Sequence, residues 1–520
     1  MTINLRVGTT DDPDSRVALA GSRLVLNSQL RHERKAALIL TQDVPSVRAS
    51  AAFNAVLGRV QQLPASLQNE PLAKLAYKIR ALPEDDQPAC FDSLLGATGQ
   101  LPAEHSSVPL EALASQIYLL PEADQLARFD SLLGATGQLP AEHRSGPLTI
   151  LAYRIHILPE ADHPARFDSL LGTTGQLPAE HRSGPLVALA NQIYPLPEAD
   201  QLARFDSLLG ATGQLPAEHR SGPLEALANQ IYLLPEADQL ARFDSLLGAT
   251  GQLPAEHRSG PLNTLAGRIP VRPEADRLAR FDSLLEATGQ LPAEHRSKPL
   301  QTLAGRIGVL PEANGLARFD SLLKATGQLP AEHRSGPLNT LTGRIPVLPE
   351  ADRLARFDSL FGATEQLPAE HRSGPLNTLA DRIPVLPEAG RPARFDSLFG
   401  ATGQLPAEHR SGPLEALAGR IDVLPQADRL ARFDSLLKAT GQLPAEHRSW
   451  PLEVLAGRID VLPEADRLAR VDSLLRATGQ LPAEHRSGPL EALAGQIDPL
   501  PQAVRTAVQV EINTLRSAIR

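Results

Sequence analysis

The feature that most constrains this chain is a 38-residue repeat that runs through most of its 520 residues. Phenylalanine recurs at this interval from Phe91 to Phe433, and Val471 continues the series, so eleven repeats follow one another without an insertion. A repeat this short cannot bury its apolar faces alone, because it covers its core only by stacking on its neighbours. The sequence therefore predicts an array of stacked repeats rather than a set of separate globular domains.

The apolar residues inside one repeat follow a helical period. In the copy from Pro197 to Leu234, the first stripe is Leu202, Phe205, Leu208 and Leu209, and the second is Leu224, Leu227, Ala228 and Ile231. This spacing is typical of amphipathic helices, and no strand-like alternation accompanies it. We expect a long helix that Pro197 starts and Gly213 ends, a short helix that Gly222-Pro223 breaks, and a third helix from Pro223.

Each repeat also contains two halves of 19 residues, which share Leu, Pro, Arg and Gly at matching places. The rhythm of long, short and medium helices resembles armadillo or HEAT repeats over about residues 53–520. The resemblance implies an all-α fold, a right-handed α-solenoid of eleven 38-residue helical repeats plus degenerate terminal capping units. The predicted segments are an N-terminal segment at 1–52, a degenerate capping repeat at 53–90, the tandem repeats at 91–499 and a capping helix at 500–520.

Composition excludes several classes of function. The formal net charge is −9, whereas a protein that follows a phosphate backbone needs a basic surface. A single cysteine, Cys90, rules out a disulfide within the chain and a cysteine metal cluster. The N-terminus lacks the basic start and apolar run of a Sec signal peptide, and no apolar stretch is long enough to span a membrane. We expect no cofactor and no metal.

The recurring AEHRSGP motif carries side chains that resemble an active site, with Glu142, His143, Arg144 and Ser145 in its first complete copy. A metal or a catalytic triad needs groups that converge on one point, whereas this motif occurs once per repeat. We interpret it as scaffold. The predicted ladder joins an arginine of each motif to the aspartate of an FDS segment or to carbonyls at a helix end; its members are His143, Arg144, Asp130, Arg182, Asp168, Arg220 and Asp206.

Positions that differ between repeats are the better candidates for binding. The position after the conserved isoleucine of the third helix changes in blocks, from aromatic residues through Pro and Gly to aspartate. The candidates here are Tyr118, His156, Tyr194 and Tyr232 in the first block and Asp422, Asp460 and Asp498 in the last. Block duplication explains the same pattern without any function. Two further candidates, Lys298 and Trp450, replace the glycine of the AEHRSGP motif.

The sequence favours a non-enzymatic protein–protein interaction scaffold, because solenoids present long binding faces. The tandem repeats and the arginine-rich composition resemble type III secreted effectors of plant- or animal-associated bacteria. That resemblance implies secretion into a host cell and a host protein as partner. The alternatives are a modular nucleic-acid-binding repeat protein and an adaptor in the bacterial cytoplasm. A monomer and an end-to-end oligomer both fit the sequence.

Overall fold

The computed structural model describes residues 50–271, 274–496 and 502–517. These residues form helices joined by turns, and no strand occurs among them, which confirms the predicted all-α fold. The chain divides into two compact halves, residues 1–253 and 254–520. Most of the predicted N-terminal segment and Asp498 lie outside the described residues.

Except at the third and fourth, which are of nearly equal length, longer and shorter α-helices alternate along the chain. In the N-terminal half they are α1 (Ser50–Gln61), α2 (Asn69–Ala76), α3 (Gln87–Gly99), α4 (Ala103–Gln116), α5 (Glu122–Gly137), α6 (Ser145–Tyr153), α7 (His163–Gly175), α8 (Ser183–Ala190), α9 (Glu198–Gly213), α10 (Ser221–Gln230) and α11 (Glu236–Gly251). In the C-terminal half they are α12 (Ser259–Gly267), α13 (Glu274–Gly289), α14 (Ser297–Arg306), α15 (Glu312–Gly327), α16 (Ser335–Gly343), α17 (Glu350–Glu365), α18 (Ser373–Arg382), α19 (Arg391–Gly403), α20 (Ser411–Ala418), α21 (Gln426–Gly441), α22 (Ser449–Gly457), α23 (Glu464–Gly479), α24 (Ser487–Ala494) and α25 (Gln502–Ser517).

Short 3₁₀ helices join these elements. Those before even-numbered helices are Ala65–Leu67, Ala141–His143, Ala179–His181, Ala217–His219, Ala255–His257, Ala293–His295, Ala331–His333, Ala369–His371, Ala407–His409, Ala445–His447 and Ala483–His485. Those after even-numbered helices are Ile79–Ala81, Ile117–Leu119, Ile155–Ile157, Ile231–Leu233, Ile269–Val271, Ile307–Val309, Ile345–Val347, Ile383–Val385, Ile421–Val423 and Ile459–Val461. Three precede odd-numbered helices, at Glu84–Asp86, Glu160–Asp162 and Glu388–Gly390.

Within each half the helices form two layers. The even-numbered helices pack side by side in chain order, and they pack more extensively with one another than the odd-numbered helices do. Alanine recurs on their buried faces, as at Ala152 and Ala190. Small side chains let helix backbones approach closely, which accounts for the tighter even-numbered layer. Each odd-numbered helix packs against the even-numbered helices next to it in the chain.

The core lies between the layers and repeats with the sequence. Phe205 and Leu208 from α9 meet Leu224, Leu227 and Ile231 from the following elements, and each of these side chains is at most 1 % exposed. One phenylalanine per repeat is fully enclosed from Phe53 through Phe433. Removing such a ring costs about 3–5 kcal/mol through lost burial and the cavity left behind.

Helix starts and ends differ from the expectation in detail. The long helix begins at Glu198, and Pro197 precedes it with ψ at 139°. Gly213 is its last residue, but no described glycine has a positive φ, so the helix does not end through a left-handed glycine. It tightens instead, with Leu215 N–H donating to the Thr212 carbonyl at 3.1 Å. Leu215 precedes a proline, and a residue in that position disfavours helical backbone.

The predicted break at Gly222-Pro223 is wrong. The short 3₁₀ helix ends at His219, and α10 begins at Ser221, so the glycine and the proline both lie in its first turn. Proline is tolerated there because its missing N–H would have no partner in the first turn of a helix. From α6 onward the third helix therefore begins two residues earlier than expected, whereas α4 runs without a break from Ala103 through Pro109 to Gln116.

Proline also shifts the starts of three odd-numbered helices. Helices α3, α7 and α19 begin later than the others and carry Pro88, Pro164 and Pro392 as their second residues. A proline there cannot donate to the carbonyl four residues before it. The preceding turn consequently closes as a separate 3₁₀ helix, whereas repeats with leucine at this position have one unbroken helix of 16 residues.

Candidate functional site

An arginine–aspartate ladder joins successive odd-numbered helices, but through a different arginine from the one predicted. Asp130 accepts two hydrogen bonds from Arg166, from Nε at 3.1 Å and from Nη2 at 2.6 Å. Asp206 accepts both bonds from Arg242 in the same way, with Nη2 at 2.6 Å, whereas Asp168 accepts a single hydrogen bond from Arg204 Nη2 at 2.8 Å. Each of these arginines lies two residues before the aspartate of its own helix, so the two side chains point to opposite sides, one toward each neighbouring odd-numbered helix. The hydrogen bonds with Asp130 raise the pKa of Arg166 further above its usual value.

Arg144, Arg182 and Arg220 therefore do not form the predicted ion pairs. The Nε of each donates to a leucine carbonyl in its own repeat, at 2.7 Å to Leu139, Leu177 and Leu215 respectively. Each leucine precedes a proline, so its carbonyl falls outside the helical hydrogen-bonding pattern. These arginines satisfy carbonyls at helix ends, which was the other expectation for them.

The serine of the same motif connects repeats. Ser145 Oγ donates to the carbonyl oxygen of His181, which lies 36 residues later, at 2.8 Å. In the C-terminal half, Ser411 Oγ donates to the His447 carbonyl at 2.9 Å. The predicted link through histidine thus uses its main chain rather than its imidazole. The AEHRSGP motif therefore satisfies carbonyls at helix ends, through its arginine, and joins stacked repeats, through its serine.

The two 19-residue halves of a repeat share this carbonyl bond. In the first half, the residue five positions after the Leu of Leu-Pro donates to that leucine, as Gln201 Nε2 does to Leu196 at 3.0 Å and Arg353 Nε does to Leu348 at 2.9 Å. The side chains that donate such a bond are Gln87, Gln125, His163, Gln201, Gln239, Arg353, Arg391, Arg429 and Arg467. Both halves therefore use one local device, which supports the predicted duplication.

The aromatic candidates lie together on one edge of the N-terminal half. Tyr118, Tyr194 and Tyr232 follow the ends of even-numbered helices and are 46 %, 69 % and 47 % exposed, and His156 is also exposed. Tyr77 and Tyr153 are exposed at the ends of α2 and α6. Since the even-numbered helices stack side by side, their ends form a continuous border of the layer. We call Tyr77, Tyr118, Tyr153, Tyr194 and Tyr232 the tyrosine edge.

Sequence reasoning missed two members of this edge. Tyr77 and Tyr153 occupy the position three residues before the block-varying one, and that spacing brings side chains to the same helix face. The available signal was that these five are the only tyrosines in the chain. Arg154 also stacks on the ring of Tyr118, with its guanidinium carbon 5.2 Å from the ring centre, while its Nη2 donates to the Ser115 carbonyl. This contact holds the Tyr118 ring in place.

The acidic candidates behave differently from one another. Asp460 is exposed, whereas Asp422 is half-buried and pairs with Arg458 Nη1 at 3.4 Å. Lys298 and Trp450 are both exposed, and 63 % of Trp450 is accessible. Because no described glycine has a positive φ, the glycine of this motif is not required by backbone conformation. A side chain as large as tryptophan fits there and points outward.

An additional acidic cluster lies on the even-numbered helices of the C-terminal half. A cavity of about 340 Å³ is lined by Asp381, Glu415, Arg420 and Arg458, among others. Arg420 pairs with Asp381 at 2.8 Å. Burial raises the pKa of Glu415, and the charges of Glu453 and Asp381 raise it further. The carboxylate of Glu415 is thus the least compensated charge in this cluster.

Histidine, cysteine and acidic side chains in the described part of the chain are the groups that could bind a metal or react. No group of three or more His, Cys, Asp or Glu side chains there is arranged to hold a metal ion. Cys90 is buried, and this burial raises the pKa of its thiol, which disfavours the reactive thiolate. In the same ranges, no helix has the length and apolar character needed to cross a membrane.

The chain is similar in fold to solved structures of importin β and of the karyopherin Kap121p. It matches importin β, crystallised in an ammonium sulfate condition, with a TM-score of 0.56 and 13% identity over 98% of this chain and 66% of that one. The match to Kap121p bound to Nup53p has a TM-score of 0.55 and 12% identity, over 92% of this chain and 55% of that one. The match to Kap121p bound to Ste12p has a TM-score of 0.55 and 13% identity, over 94% of this chain and 57% of that one.

At these identities the similarity shows the fold alone. The all-helical repeat architecture matches that of HEAT-repeat solenoids, which confirms the architecture that the repeat pattern predicted. It spans between about half and two thirds of the length of these three proteins. No protein-family model and no curated protein matches it at a significant level.

Proposed function

We propose that this protein is a non-enzymatic protein–protein interaction scaffold and that the tyrosine edge binds its partner. The observation that carries the proposal is that all five tyrosines of the chain are exposed along one border of stacked helices. The fold supports it, because helical repeat arrays expose long surfaces that suit extended partners. Kap121p, which has a similar fold, has been solved with bound proteins.

Tyrosine is well suited to this role. It presents a large apolar ring and a hydroxyl on few rotatable bonds, so it gains contact area at a small cost in conformational entropy. Residues of this type dominate the energetics of many interfaces. Isolated exposed aromatic residues need no explanation, but a row confined to one border does.

The charge distribution favours a protein partner over a nucleic acid. The formal net charge is −9, and arginines of the ladder such as Arg166, Arg204 and Arg242 are already paired with aspartates. Arginines held in this way are not free to neutralise phosphates, which is the main source of affinity for nucleic acids. Retention on heparin or DNA at physiological salt would contradict this argument.

Site-specific crosslinking tests the tyrosine edge. A photoreactive phenylalanine analogue replaces Tyr194 in one variant and Ser207, an exposed residue of α9, in a matched control. Both variants are irradiated in plant or animal cell extract, and the products are identified by mass spectrometry. We expect a specific adduct from position 194 that disappears when Tyr118 and Tyr232 are changed to alanine. The same adducts from both positions would contradict the proposal.

We further propose that the chain acts as a type III effector inside a host cell, with a host protein as its partner. The support is compositional: only six of its 51 basic residues are lysines, which limits ubiquitination in a eukaryotic cytoplasm. The test fuses a translocation reporter to the chain in a bacterium with a working type III apparatus and in its secretion-deficient mutant. Signal in host cells from the first strain alone supports delivery, and retention in both strains favours a bacterial adaptor.

A further inference from the structure

A second surface, in the C-terminal half, has the features of a pocket. A cavity of about 390 Å³ opens between α19 and α21, and α20 contributes Leu414 to its lining. Its other walls include Phe399, Arg410 and Lys438, while Gly400 and Gly403 leave space because they lack side chains. This volume lies at the lower end of the range of ligand pockets, about 300–1,000 Å³. We call it the Phe399–Lys438 pocket.

The pocket depends on two departures from the repeat pattern. Phe399 stands where most repeats have leucine, the other exception being Phe361, and Lys438 stands where most have glycine. In the repeat that follows Phe361, the position that corresponds to Lys438 is Gly400, so Phe361 has no lysine beside it. In the repeat that precedes Lys324, the position that corresponds to Phe399 is Leu285, so Lys324 has no phenylalanine beside it. The junction between α19 and α21 is therefore the one place in the repeat array where this aromatic residue and this lysine come together.

The charges around the pocket are all of one sign. Lys438 and Arg410 line it, and no carboxylate does so. Arg410 Nε donates to the Leu405 carbonyl at 2.7 Å, which anchors the guanidinium and leaves its terminal nitrogens for other partners. Neither cation forms an ion pair within the described ranges, unlike the ladder arginines Arg394 and Arg432 on the same two long helices. An anionic group in the pocket would meet two cations and no competing carboxylate.

We infer that the Phe399–Lys438 pocket binds an acidic peptide segment of a protein partner, with a carboxylate at Lys438 and Arg410 and an adjacent apolar side chain on Phe399. Guanidinium and ammonium groups are the usual partners of carboxylates, and the pocket has room for a few side chains rather than for a folded domain. This inference rests on the proposed scaffold function, but it concerns a separate surface in the other half of the chain.

Peptide selection provides the test. Random heptapeptides displayed on phage are selected on the full chain and counter-selected on the double variant Phe399→Leu, Lys438→Gly. Both changes restore residues that most repeats carry at these positions, so the variant keeps its fold. We expect the surviving peptides to be enriched in Asp or Glu next to Leu, Ile or Phe. Survivors without acidic enrichment, or equal binding by the two chains, would overturn the inference.

Measurements on the best synthetic peptide complete the design. We expect its affinity to fall at least about tenfold with Lys438→Gly alone, to fall when its acid is changed to the amide, and to weaken with added salt. An affinity that ignores all three changes would overturn the inference. We expect the affinity to stay unchanged when Tyr118, Tyr194 and Tyr232 are changed to alanine, because the pocket binds the peptide without the tyrosine edge. The peptide measurements therefore test the pocket alone, and the crosslinking experiment tests the tyrosine edge alone.

Discussion

Gly315 is the position at which a single substitution should stabilise the array. It occupies the site from which Gln201, Arg353 and their counterparts bond the carbonyl of the leucine five residues earlier. Glycine has no side chain for this bond, so Leu310 lacks the one its counterparts receive. The position lies inside α15 and is buried, and a Cβ built on it would be 3.9 Å from Ile307 Cγ2, an ordinary contact. There is room for a larger residue.

Two terms set the expected gain from Gly315→Arg. Replacing a glycine within a helix by alanine gains about 0.5–1 kcal/mol, because the unfolded glycine has more conformational freedom to lose. The restored hydrogen bond to Leu310 adds about 0.5–1.5 kcal/mol. We expect about 1–2.5 kcal/mol in total for the arginine variant, and only the first term for the matched control Gly315→Ala. Arginine suits this half of the chain, because Arg353 and Arg391 already make the bond there.

Hydrogen exchange with mass spectrometry is the appropriate assay, because repeat arrays open locally and a single unfolding midpoint would average over them. The peptide from Leu310 to Phe319 contains Asn314, which distinguishes it from the corresponding peptides of the other repeats. We expect slower exchange in this peptide for the arginine variant than for the alanine variant, by about 2- to 10-fold. Equal rates in the two variants would refute the role assigned to the carbonyl bond.

Three further predictions concern the ladder, the acidic cluster and the modularity of the array. A double-mutant cycle on Asp206→Asn and Arg242→Gln should give a coupling free energy of about 0.2–1 kcal/mol that weakens with salt, since the pair is partly exposed; zero coupling at low salt would contradict the ladder. Folding raises the pKa of Glu415 above its usual value of 4.5, so the folded protein binds this proton more tightly than the unfolded chain does. The free energy of unfolding therefore falls as the pH rises from below 4.5 through the raised pKa. Glu415→Gln should therefore melt close to the native chain at pH 4 and above it at pH 7, and a difference that does not grow with pH would contradict this sign. Deletion of residues 198–235 joins identical sequence at the junction and places Asp168 opposite Arg242; circular dichroism should show unchanged helicity per residue, and a loss would mean that repeats are not interchangeable.

The ladder shows where sequence reasoning succeeded and where it failed. The sequence identified Asp130, Asp168 and Asp206 as residues that join repeats, because an acid recurs at one register of an exposed face. It assigned the ladder to the arginine of the AEHRSGP motif, although the arginine before the phenylalanine also recurs. The choice depends on which helix face each arginine occupies: Arg166 lies on α7, beside α5, whereas Arg144 follows a 3₁₀ turn and lies next to the Leu139 carbonyl.

By itself the sequence determined what repetition determines: a helical array with a fixed period and one buried phenylalanine per repeat. These conclusions follow from periodicity, because the same local pattern must be satisfied again in each repeat. The tertiary structure decided what arises between repeats. The stacking of even-numbered helices turns tyrosines far apart in sequence into one edge, and the junction of α19 and α21 brings Phe399 and Lys438 together. Such sites depend on which residues meet across a packed interface, and a period alone does not specify that.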